Sequence, residues 1–166
     1  MRPVSAQISI DASRDEVFDL LEDLSLRPSF TDHFVERYQL LRKEPVGVGA
    51  GARFRIAAAG GFMDSVIVES ERPHRLVERG HGARSNRVPN VIEWVLTDVP
   101  GPRGCEVAVT FWTEPTLPFD RMRDLRSSER RVRRDFRRAL ERLRAVAEGA
   151  SEPRRVTIAG GDRLGV

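Results

Sequence analysis

One cysteine in 166 residues, Cys105, excludes an intrachain disulfide and suits a reducing compartment. Lysine is almost as scarce: Lys43 is the only one, and the other 27 basic residues are arginine. Such one-sided usage follows GC-rich coding more than function, so the sequence pI near 9.9 is discounted. No apolar run approaches the ~20 residues that cross a bilayer. The opening residues lack both the apolar core and the small-residue cleavage site of a secretory signal, and a cytoplasmic location is expected. Metal signatures are missing, and His74 and His81 have no partners at ligand spacing. Residues 47–51 are glycine-rich but lack the Gly-Lys-Ser/Thr of a phosphate loop, and no Gly-x-Ser-x-Gly elbow occurs. Neither a metal nor a cofactor is expected.

What is present is a soluble globular composition, 40% hydrophobic and 32% charged. The net charge of +3 hides a split. Residues 120–148 hold 11 Arg against 6 acids, a net of +5, while the remaining 17 basic and 19 acidic residues net −2. In that basic stretch Met122, Leu125, Val132, Phe136, Leu140, Leu143 and Ala147 recur at helical spacing. A helix of this length, roughly 40 Å at ~1.5 Å per residue, needs a partner for its apolar stripe. The interspersed acids Asp124, Glu129, Asp135 and Glu141 make its arginines an ordinary solvated face, so no nucleic-acid partner is expected.

The partner is legible upstream. Val4, Ala6, Ile8 and Ile10 alternate with polar residues as a half-buried strand does. Ser13 and Glu16 form a capping box ahead of Val17, Leu20, Leu21 and Leu24, a short amphipathic helix that Pro28 interrupts. Residues 29–34 read as a second short helix. Strands follow over 35–41, 52–57, 62–70, 75–79, 90–97 and 105–114, with turns at Gly60-Gly61, Pro73-His74 and Pro100–Pro102. Short turns between consecutive strands imply an antiparallel sheet. Parity assigns its apolar face to residues including Phe54, Phe62, Val66, Val68, Trp94 and Phe111. The long helix is then the only element expected to cover that face. The expected architecture is α+β: about seven strands curved around a C-terminal helix, with two short helices after the first strand. One domain over 1–148 is expected, followed by a tail, 149–166, that is mobile or makes a short edge contact.

This order, with Val17-Phe18, Leu20-Leu21, Asp23 and the aromatic Phe30 behind Pro28, resembles the helix-grip superfamily. That group includes START domains and the polyketide cyclase/dehydrase (SRPBCC) proteins. Thr113-Glu114-Pro115 ahead of an Arg-rich helix completes the resemblance, and Ser13 stands where many relatives carry proline. The resemblance implies the helix-grip fold with an apolar pocket between sheet and helix. That pocket would take lipids, polyketides or other hydrophobic metabolites, and some members are aromatase/cyclases. It carries over no catalytic motif.

Within that frame Asp64 shares the parity of Phe62 and Val66, which puts a carboxylate in the pocket; beside Gly60-Gly61 it would instead be solvated. Asp32 and His33 lie near the expected pocket mouth, where a histidine can relay protons or simply cap the surface. Phe54, Phe62, Trp94 and Phe111 either stack on a planar ligand or form core. Tyr38 and Asn90 would supply hydrogen bonds, and Met122 and Leu125 one wall. The leading reading is a module that binds or carries a small hydrophobic ligand, as monomer or homodimer. The alternatives are a polyketide aromatase/cyclase or dehydrase using Asp64 and His33, and a regulator acting through the basic helix or dimerisation.

Overall fold

The computed structural model describes residues 1–57, 61–82, 88–99, 104–115 and 129–156. Seven strands form one antiparallel sheet: β1 Val4–Ile10, β2 Val35–Leu40, β3 Gly51–Ile56, β4 Phe62–Glu71, β5 Arg75–Gly82, β6 Val88–Asp98 and β7 Cys105–Thr113. Their spatial order is β1-β7-β6-β5-β4-β3-β2, so β2 to β7 meander and the first strand lies beside the last. Two short helices, α1 Arg14–Glu22 and α2 Pro28–Thr31, follow β1 with a 3-10 turn at Leu24–Leu26 between them. The C-terminal helix, α3, runs over Glu129–Ala147 among the described residues.

Local chemistry accounts for the boundaries. The Glu16 backbone N–H donates to the Ser13 hydroxyl at 3.3 Å, and the Glu16 carboxylate accepts from the Ser13 N–H at 2.9 Å, so the box opens α1 as expected. Pro28 takes the first position of α2, where a missing N–H costs nothing. Arg37 has φ 51°, and the β2–β3 register shifts between Glu36 and Gln39. This bulge turns Tyr38 and Leu40 to the concave face, where both pack against the core.

α3 buries Phe136, Ala139, Leu140, Leu143 and Val146, a stripe at helical spacing. Its main neighbours are β1, α2 and α1. The helix therefore does not cover the sheet alone, as the sequence suggested. Phe30 of α2 meets Trp94 edge-on at 6.4 Å between centroids, and Phe18 and Leu21 of α1 are fully buried in the same core. Gly149, φ 74°, ends the helix in the left-handed conformation, with its N–H on the Val146 carbonyl at 3.2 Å.

One strand is read inside out by the sequence. On β4 the concave face carries Met63, Ser65 and Ile67; Phe62, Asp64, Val66 and Val68 face outward. Pairing fixes this: Phe54 and Ala52 of β3 are buried and stand opposite Met63 and Ser65, while Arg53 stands opposite Asp64. Both parities of β4 carry apolar side chains, so alternation alone does not choose between them.

Candidate functional site

At the middle of the concave face lies a buried polar cluster. Glu78 of β5 is 3% exposed and Arg27, in the turn before α2, is 6% exposed. Glu78 Oε1 accepts from Arg27 Nη2 at 2.6 Å and from Trp94 Nε1 at 2.9 Å, and its Oε2 accepts from Ser65 Oγ at 2.7 Å. Arg27 Nη2 also donates to the Leu21 carbonyl at 2.9 Å. The guanidinium lies over both rings, 5.1 Å from the Trp94 centroid and 5.5 Å from that of Phe30. A carboxylate with three donors and a guanidinium over two aromatic rings form a charge pair stable in a dry interior.

Aromatic side chains surround this cluster. Tyr38 stacks on Phe54 at 5.9 Å and donates its hydroxyl to the Leu24 carbonyl at 2.9 Å. Burial pushes its pKa well above the ordinary value; the Arg27 charge opposes this, and the charges of Glu78 and Asp23 add to the rise. The Tyr38 hydroxyl therefore remains a donor. Phe111 and Phe136 lie 6.0 Å apart, and Phe136 continues to Phe34 at 6.2 Å. Asn90, two residues into β6, is 2% exposed, and neither its Oδ1 nor its Nδ2 has a hydrogen-bond partner among the described residues.

A model of the family described as polyketide cyclase/dehydrase and lipid transport matches residues 1–148. The chain belongs to that family. Solved structures with the same fold include a START superfamily protein of Mycobacterium smegmatis, at 12% identity and TM-score 0.63, covering 90% of this chain and 99% of that one. A protein of Thermus thermophilus matches at 22% identity and TM-score 0.63 over the same shares. DynU16, a protein of the dynemicin biosynthetic locus, matches at 19% identity and TM-score 0.60, covering 94% of this chain and half of that one. At these identities the likeness is one of fold. Among curated proteins none matches the sequence.

Of the residues singled out from sequence, Phe54, Trp94, Phe111, Asn90 and Tyr38 reach the concave face of this family member. Three do not. Phe62 is 41% exposed with the Arg53 guanidinium 5.8 Å from its ring, Val66 is on the same outer face, and Asp64 pairs with Arg53 at 2.9 Å. His33 points at α3, where its Nε2 meets the Asp135 carbonyl at 3.0 Å; a carbonyl only accepts, so Nε2 carries the proton. Burial, helped by Arg138 and Arg142, holds the ring's pKa below its ordinary value, against the Asp135 hydrogen bond and charge. Asp32 pairs with Arg142 instead of facing the sheet. Met122 and Leu125 lie outside the described residues. Cys105 is buried, and burial pushes its thiol up. Arg27, Glu78 and Ser65 were not singled out from sequence. Glu78 shares the parity of buried Leu76, but the neighbouring Val77 is also buried, which blurs the alternation.

Proposed function

We propose that the protein binds a small hydrophobic molecule between the concave face of its sheet and α3, as a binding or carrier module. What carries this reading is the state of the ionisable groups on that face. Glu78, Arg27 and Tyr38 are each engaged with internal partners, and what surrounds them is aromatic and aliphatic. Such a surface holds an apolar ligand by area and orients it by few polar contacts. The family description joins cyclase/dehydrase chemistry to lipid transport. The first of these needs an acid and a base converging on one substrate. The pair expected from sequence does not converge: Asp64 faces outward with Arg53, and His33 is bound to the α3 backbone.

The test is twofold. Native mass spectrometry of the purified protein, followed by extraction, is expected to yield a co-purifying hydrophobic molecule. N-phenyl-1-naphthylamine, a neutral hydrophobic fluorophore, is expected to bind saturably at one site. Folded protein that retains nothing and shows no saturable fluorescence would sink the reading.

A further inference from the structure

We propose that Asn90 reads a neutral donor–acceptor edge, such as a carboxamide or lactam, on the hydrophobic molecule taken up by the concave face. This rests on the binding reading above and adds the polar group that the molecule carries.

The side chain of Asn90 is placed by its strand. Its backbone stands opposite Gly80 on β5 and Thr113 on β7, which puts the carboxamide on the concave face with Ile92 and Trp94. Both polar atoms are sealed from solvent and neither has a partner among the described residues. Buried amides are paired almost without exception, because a donor and an acceptor stripped of water are otherwise a standing penalty. On β7 the hydroxyl of the facing Thr113 accepts from the Met1 amino group, and β5 offers no side chain to pair with. Two successive concave positions of β5 are Gly80 and Gly82, with no side chain. A methyl group at the buried Gly82 would lie 3.6 Å from Asn90 Nδ2 and 3.3 Å from Met63 Cε. At this glycine the amide is therefore covered by the flexible end of Met63 and not by a β5 side chain, so a ligand edge reaches it when that thioether swings aside.

The amide sets the chemistry of what fits. Its carbonyl accepts and its NH2 donates, side by side in one plane, so the complement is a planar group with one donor and one acceptor. Charge narrows it further. Glu78 lies diagonally from Asn90 across the β5–β6 pair, and Arg27 is already bound to that carboxylate. An anionic head group beside Asn90 would meet a second carboxylate in a dry interior, so the edge is neutral.

The experiment compares 2-naphthamide with 2-ethylnaphthalene, one ring system with and without the edge, by displacement of N-phenyl-1-naphthylamine. The preference of wild type for the amide is expected to fall about tenfold or more in Asn90→Leu, as two lost hydrogen bonds imply. Asn90→Leu is also expected to raise the melting temperature of the unliganded protein, since it removes two unpartnered polar atoms. A lowered melting temperature with an unchanged preference would mean that Asn90 is structural and would overturn the assignment. Gly82→Ala keeps the amide but sets a methyl against its Nδ2 and crowds Met63, and is expected to weaken 2-naphthamide more than 2-ethylnaphthalene. In wild type, 2-naphthamide is expected to shift the Asn90 side-chain NH2 pair in nitrogen–proton correlation spectra. Binding of both compounds with the same ratio in wild type and variant overturns only the role of Asn90. Displacement by neither compound overturns this assignment, and failure of N-phenyl-1-naphthylamine itself to bind folded wild type overturns the binding-module reading with it.

Discussion

Glu78 and Arg27 show how much one pair of side chains can fix. Glu78→Gln leaves the Arg27 guanidinium buried without its counter-charge, and removing one partner of a buried pair typically costs ~3–5 kcal/mol. The double variant Arg27→Met with Glu78→Gln removes both charges. The new amide can still accept from Trp94 and donate to Ser65, so urea unfolding is expected to show most of the loss recovered. A single-variant loss below ~1 kcal/mol would refute the pair's structural weight. His33 makes a pH prediction. Its pKa is held below 6.5 in the fold, so the unfolded chain takes up the proton first as pH falls. Its contribution is present above pH 6.5 and is lost as pH drops through the folded value. Titration of the His33 ring by proton NMR should give a midpoint below 6.5, and His33→Gln should flatten the acid side of the stability profile. A midpoint at or above 6.5 would contradict the burial of this ring.

At the scale of elements the chain was easy to read where one periodicity dominated. β1, the α1 capping box and the apolar stripe of α3 each point one way, and the structure follows. β4 did not: Phe62, Val66 and Val68 balance Met63 and Ile67, and its face was settled by β3 and β5. Side chains deduced from that face, Asp64 above all, were therefore misplaced, while those on β6 and β7 were not. Two glycines give contrasting tests of the elements they serve. A Cβ at Gly80 would lie 1.7 Å from the Asp64 carbonyl oxygen, backbone that cannot step aside. Gly80→Ala is expected to lose roughly 3 kcal/mol or more in denaturant unfolding, in the tail of single-substitution effects. Gly149→Ala meets nothing within 4 Å, but φ is +74°, so only the left-handed backbone resists. About 1–2 kcal/mol is expected there. Equal losses at the two sites would show that the β4–β5 crossing is looser than its geometry indicates.

Across the whole molecule, the two ends of the chain are drawn together: β1 pairs with β7 over its full length, and α3 packs against β1. Residues 154–156 add a second link that composition alone did not reveal, because the stretch has no periodicity to read. Ser29 Oγ accepts from the Arg154 N–H at 2.7 Å and donates to the Arg154 carbonyl at 3.0 Å. Arg155 Nη1 reaches Asp23 at 2.7 Å and Ser25 Oγ at 2.9 Å, and the Val156 N–H donates to the Ser25 carbonyl at 2.8 Å. All of these contacts fall on residues 23–29, the turn that carries Arg27 into the core. The tail thus braces the outside of the segment whose inside supplies the buried charge. The Arg155 ion pair is half-exposed and worth little by itself, so the brace is local order more than global stability. Ser29→Ala with Arg155→Ala is therefore expected to change the unfolding midpoint only slightly. Amide hydrogen exchange over residues 23–31 should nevertheless accelerate severalfold while β6 and β7 stay protected. Unchanged exchange in that turn would show that α1, α2 and the Glu78 pair hold Arg27 in place without the tail.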